Sequence, residues 1–84
     1  QFLRTFVGRY ALATDTTVVA LKGDVLTIAT GNGPATELVP YRRTEFNLKG
    51  LQGFSVVFTL DAKGSVTGAQ LRQPRGVLTA KRVP

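Results

Sequence analysis

Apolar and polar residues alternate with period two along almost the whole chain, and turn-forming residues interrupt the alternation at short intervals. Successive side chains of a strand point to opposite faces, so this pattern predicts a series of short strands rather than helices. The first runs from Phe6 to Leu12 with Tyr10 and Leu12 on one face, and Gly8 inside it marks a bulge or a close backbone approach. Asp15-Thr16 turns the chain into the β-branched run Thr17–Leu21, and Lys22-Gly23-Asp24 forms a hairpin turn for which Gly23 supplies a positive φ. Val25–Thr30 follows, then the reversal Gly31-Asn32-Gly33-Pro34. A fourth strand, Ala35–Val39, ends at Pro40, which cannot donate to a ladder. Thr44–Lys49 alternates cleanly, with Phe46 and Leu48 inward. Phe54–Leu60, Ser65–Arg72 and Val77–Arg82 complete a set of eight, joined by Asp61-Ala62-Lys63-Gly64 and by Gln73-Pro74-Arg75-Gly76. Phe2-Leu3-Arg4 reads as a short helical turn ahead of them.

No stretch long enough for a helix keeps an i, i+3, i+4, i+7 pattern without a turn signal inside it. Eight short strands joined by tight sequential turns predict an all-β fold, an antiparallel up-and-down meander. Closing that meander into a barrel removes the open edges a flat sheet would carry. A barrel of such short strands is filled by its own side chains. The expected inward set is Tyr10, Leu12, Val18, Leu26, Ile28, Leu38, Phe46, Leu48, Val56, Phe58, Leu60, Val66, Leu71 and Leu78.

The 84 residues are expected to form a single domain, 1–84, and a chain that opens on Gln1 without Met reads as a piece cut from a longer protein. With no Cys, neither disulfides nor thiolate metal sites contribute, so stability rests on burial of the 43% hydrophobic residues. No apolar run approaches the length of a spanning helix, and no transmembrane segment is expected. The net charge of +6 raises nucleic acid, anionic lipid and acidic protein surfaces as partners. Most cations are spaced singly along the sequence, with pairs at Arg42-Arg43 and Lys81-Arg82, and this spacing argues for a solvated surface over a nucleic-acid groove.

The residue types that usually carry chemistry are scarce. Ser55 and Ser65 have no His to act as base, and Lys63 near Ser65 lies across a solvent-facing turn. Glu37 and Glu45 occupy polar slots of adjacent strands and read as cross-strand partners for Arg42 or Lys49, while Asp15, Asp24 and Asp61 read as turn formers. No catalytic residue, no metal site and no cofactor is expected. Gly31-Asn32-Gly33 precedes a strand and so offers no helix N-terminus to a phosphate. Tyr41, Arg42 and Arg43 group an aromatic ring with two cations at a strand corner, and they are the candidate docking patch.

In this layout the order of motifs resembles a known family. The opening Phe6-Val7-Gly8-Arg9-Tyr10 has the aromatic-x-Gly-x-Tyr form. It is followed by Gly23-Asp24-Val25-Leu26, Glu37-Leu38-Val39-Pro40 and Thr44-Glu45-Phe46. Val57-Phe58, Asp61-x-x-Gly64-x-Val66-x-Gly68, Leu71-x-Gln73 and Ala80-Lys81-Arg82 close the series. Over nearly the whole chain this is similar to a domain of unknown function found C-terminal to bacterial beta-lactamase-related serine hydrolases. The resemblance implies a lipocalin-like barrel appended to a penicillin-binding-protein-like catalytic domain. That domain carries Ser-x-x-Lys and Tyr-x-Asn motifs, neither of which is present here. It also implies an extracytoplasmic, for example periplasmic, location, and it supplies no catalytic residue to carry over. The expected function is therefore a non-catalytic accessory domain that docks on its own catalytic domain or on a second subunit. Two alternatives are a barrel holding a small apolar ligand among Tyr10, Phe46 and Phe58, and a nucleic-acid-binding barrel. Neither a small ligand nor a nucleic acid is the expected partner.

Overall fold

A computed structural model describes residues 2–83, so positions 1 and 84 of the expected domain lie outside the described residues. A single 3₁₀ turn, Leu3–Phe6, precedes eight strands: β1 (Gly8–Ala11), β2 (Thr16–Lys22), β3 (Val25–Thr30), β4 (Thr36–Pro40), β5 (Glu45–Leu48), β6 (Ser55–Leu60), β7 (Val66–Gln73) and β8 (Gly76–Val83). Each strand pairs antiparallel with the next, and β8 pairs with β1 through Arg9↔Val83, Tyr10↔Arg82 and Ala11↔Lys81. The result is the closed up-and-down barrel that the alternation predicts. No helix among the described residues is long and apolar enough to cross a membrane.

Strict up-and-down order sends every second loop to the same end of the barrel. The N-terminal turn, the β2–β3, β4–β5 and β6–β7 loops and the end of β8 share one end, here the plug end. The β1–β2, β3–β4, β5–β6 and β7–β8 loops share the other, the mouth.

The interior at the plug end is aromatic. Phe6 leaves the 3₁₀ turn to stack on Phe58, with ring centroids 4.5 Å apart, and meets Phe46 edge-on at 5.5 Å. Tyr10 and Phe46 each lie 5.7 Å from Phe58, and all four rings are buried. Such contacts add about 0.5–1.5 kcal/mol per pair beyond the area they bury. The expected first strand, Phe6–Leu12, is thus shortened at its start. Phe6 must turn inward, so Val7 N–H closes the turn on the Arg4 carbonyl at 3.2 Å and β1 begins two residues later.

Of the expected inward set, Tyr10, Leu26, Ile28, Leu38, Phe46, Val56, Phe58, Val66 and Leu71 are buried, while Leu12 and Leu48 pack half-buried against them. Three assignments are corrected. Val18 is exposed and Val19 buried, because the pair Tyr10↔Thr17 fixes the register of β2 and puts Thr17, Val19 and Leu21 on the inner face. The Val18-Val19 doublet carries no parity of its own. Leu60 has the right parity but ends β6 at the plug-end rim, and Leu78 lies where β8 overruns the four-residue β1. The inner face also takes Thr17, Ala69 and Ala80, which the sequence reading leaves out.

Two local devices keep the inner face apolar. Thr59 pairs with Gly68 and Leu60 with Val66, so Thr67 is an extra residue in β7. This bulge reverses the parity of β7 and lets Val66 and Leu71 both point inward. At Gly68 a Cβ would come within 2.5 Å of the Ala80 carbonyl oxygen, so the close β7–β8 approach requires glycine there. Gly8, by contrast, carries no bulge. Its missing side chain leaves room for the Arg82 guanidinium, whose Nε would lie 3.0 Å from a Cβ.

Phe58 touches three other rings and is 2% exposed. Phe58→Ala should therefore lower unfolding free energy by about 3–5 kcal/mol on denaturant titration. A loss below about 1 kcal/mol would mean the aromatic interior does not hold the barrel together.

Candidate functional site

The β4–β5 loop holds the candidate patch. Glu45 carbonyl oxygen accepts from both Tyr41 N–H and Arg42 N–H at 3.0 Å, and the resulting tight turn throws all three side chains outward. Arg42 lies over the Tyr41 ring, 5.1 Å from its centroid, and Tyr41 is 56% exposed. This is a cation–π pair in water, a modest interaction that presents one flat amphipathic surface. Arg43 faces elsewhere. With Phe2, Thr5, Phe6, Thr44, Leu60 and Gly64 it lines a recess at the plug end. Phe2 and Leu60 are exposed there, and Phe2 rests edge-on against Phe6 at 5.1 Å.

Charge spacing along the chain does not survive folding. Arg4, Arg9, Lys22, Arg42, Arg43, Lys63, Lys81 and Arg82 all lie in plug-end loops or within three residues of strand termini at that end. Three acids, Asp24, Glu45 and Asp61, accompany these eight cations, for a net charge of +5 at that end. The mouth carries Lys49, Arg72 and Arg75 against Asp15 and Glu37, a net of +1. The expectation of dispersed cations is corrected by the topology. They form a ring around one rim, interrupted by acids, and not a continuous track.

Arg82 has a second role that its place in a charge pair does not reveal. One guanidinium nitrogen donates to the Val7 carbonyl at 2.8 Å and another to the Val66 carbonyl at 3.3 Å. The side chain thus ties the start of β1 and the start of β7 to β8, across the seam where the sheet closes. The signal for it lies in Gly8, which leaves the space, and not in Arg82 itself.

The remaining candidates behave as turn and surface groups. Asp61 Oδ1 accepts from Lys63 N–H and Ser65 N–H, both at 2.9 Å, and Gly64 takes the positive φ of 85° that the turn needs. Glu37 pairs with Lys49 at 3.5 Å with both side chains largely in solvent, where such a pair contributes little. Glu45 sits at the far end of the same hairpin, so the two glutamates do not converge. Ser55 lies opposite Arg72 in the sheet, at the other end of the barrel from Ser65. Among the described residues, no three acidic, His or Cys side chains gather as they would around a metal ion. The space between Tyr10, Phe46 and Phe58, where a ligand was the alternative expectation, is occupied by the Phe6 ring.

No protein-family model matches this sequence, and no curated protein matches it.

Among the described residues, Tyr10 is the one strongly buried titratable group. Its hydroxyl donates to the Phe6 carbonyl at 2.7 Å, holding the plug residue in place. Burial pushes the phenol above its ordinary value of 10.0, and the positive charge of Arg82 partly offsets that. The folded state thus favours the neutral phenol. Tyr10 contributes stability that is complete below pH 10.0 and is lost as pH rises through the folded-state value. In a Tyr41→Phe variant Tyr10 is the sole tyrosine. Its ultraviolet titration should lie above pH 10.0 in the native chain, with a loss of unfolding free energy over the same range. Titration at or below 10.0 would place the hydroxyl in water.

Proposed function

We propose that this domain is a non-catalytic accessory module of a beta-lactamase-related serine hydrolase. It acts by docking its plug end on the catalytic domain or on a second subunit, outside the cytoplasm. The observation that carries the reading is the gathering of eight cations with exposed Phe2, Tyr41 and Leu60 at one end of a barrel whose interior is packed there. Charge steers and orients such a contact, and the aromatic and aliphatic groups supply the area it buries. The surface it meets is accordingly acidic around an apolar centre. The sequence resemblance supports the choice of host, and the scarcity of acid–base and nucleophilic groups supports a non-catalytic role.

The gathered charge also bears on nucleic acid. A strand-binding groove combines a basic track with free aromatic faces for stacking. Here Asp24, Glu45 and Asp61 interrupt the ring, and Arg42 covers one face of Tyr41. These features favour a protein surface.

The reading frame upstream of Gln1 tests the proposal. It should encode a domain with a Ser-x-x-Lys motif, and a signal peptide alone or a nucleic-acid enzyme there would overturn it. In the full chain, the double variant Arg42→Glu, Arg43→Glu should loosen contact between the two domains, seen as faster proteolysis of the linker and a salt dependence that disappears. The isolated domain should bind a single-stranded oligonucleotide only weakly at physiological salt. Submicromolar affinity would move the assignment to nucleic acid.

A further inference from the structure

We infer that the mouth of the barrel is a binding site for a small, uncharged, mostly apolar molecule. The two ends of the barrel are finished differently. Phe6 reaches into the barrel axis at the plug end, whereas at the mouth the β5–β6 loop brings Leu51 and Phe54 only to the side of the opening. A recess of about 330 Å³ remains there, with Ile28 and Leu71 at its floor and Leu48, Leu51 and Phe54 along its wall. Ile28 and Leu71 are nearly sealed from solvent, whereas Leu51 on the β5–β6 loop is 43% exposed. Apolar surface is thus left uncovered inside a concave space, and filling it would release the water held against it.

The size of the recess lies at the lower limit of the roughly 300–1,000 Å³ common for ligand clefts, which restricts the occupant to a small molecule. Its walls come from β3, the β3–β4 loop, β4, β5, the β5–β6 loop, the start of β6 and β7, so it is a cup and not a groove open to an extended peptide. Its polarity sets the ligand chemistry. Strand alternation from buried Ile28, Leu38 and Leu71 turns Thr30, Thr36 and Gln73 toward the opening, and all three are uncharged. Arg72 borders the recess, but it follows inward-facing Leu71 and alternates to the outer face. A carboxylate or ammonium entering the cup would give up hydration without meeting an opposite charge on an inward-facing side chain. A neutral molecule with one or two hydrogen-bonding groups meets hydroxyl and amide partners at the rim.

The test uses N-phenyl-1-naphthylamine, a neutral apolar fluorophore, on a chain that has no Trp to interfere. The probe should bind saturably, one per chain, with enhanced and blue-shifted emission. Its sulfonated counterpart, anilinonaphthalene sulfonate, should bind about tenfold more weakly because its charge finds no inward-facing partner. Leu51→Glu places a carboxylate at the wall and should weaken the neutral probe about tenfold, while Phe2→Ser at the opposite end leaves it unchanged. Both residues are exposed, so circular dichroism and thermal unfolding should show that both variants keep the fold. Non-saturable binding, equal affinity for both probes, indifference to Leu51→Glu, or sensitivity to Phe2→Ser would each overturn the inference. So would self-association of the chain that Leu51→Glu abolishes, because the mouth would then be an interface between copies. None of these outcomes depends on the plug-end docking surface.

Discussion

One residue from outside the sheet completes this barrel. The strands bring Tyr10, Phe46 and Phe58 to the plug-end interior, and the Phe6 ring fills the space among them from outside the sheet. It stacks on Phe58, meets Phe46 edge-on and receives the Tyr10 hydroxyl on its carbonyl. Interiors pack at the density of organic crystals, so a missing ring of this size is not absorbed by slight movements of its neighbours. The consequences reach outward. The 3₁₀ turn exists because Phe6 points in, and β1 begins two residues later because of that turn.

Closure of the sheet then decides where charge and apolar surface appear. The seam between β1 and β8 has three residue pairs, and Arg82 reinforces it by donating to the carbonyls of Val7 and Val66. With an even number of strands in strict sequence, alternate loops are sorted to opposite ends. Cations that stand apart in sequence meet at the plug end, and the apolar rim of the β5–β6 loop comes over the open end. One end is thus full, charged and suited to contact with another macromolecule. The other is nearly neutral and carries the apolar recess beside the β5–β6 loop.

Most of this architecture is legible in the sequence because period-two alternation and turn residues are local signals. Gly23, Gly64 and the Asp61 turn place the hairpins, and strand order follows from loops too short to allow a crossover. What escapes is set by partners distant in sequence. Val18 and Val19 are chemically identical, and the choice between them is made by Thr17 facing Tyr10. The bulge at Thr67 appears only when β6 lies beside β7. Phe6 reads as the first residue of a strand because no local pattern shows that it must plug a barrel. Tyr41, Arg42 and Arg43 are legible as an exposed group, but the divergence of Arg43 from the Tyr41–Arg42 pair depends on Phe2 and Leu60, which pack from other elements. The +6 charge is visible in composition, and its polarity along the barrel is not.

The most direct test of this account is equilibrium unfolding of Phe6→Ala beside Phe2→Ala. Both phenylalanines belong to the N-terminal segment and neither lies in a strand, yet one is 1% exposed and the other 54%. Phe6→Ala should cost about 3–5 kcal/mol, as removal of a core ring does, while Phe2→Ala costs less than about 1 kcal/mol. Similar small losses for both would contradict it, because the barrel would then be stable without its plug.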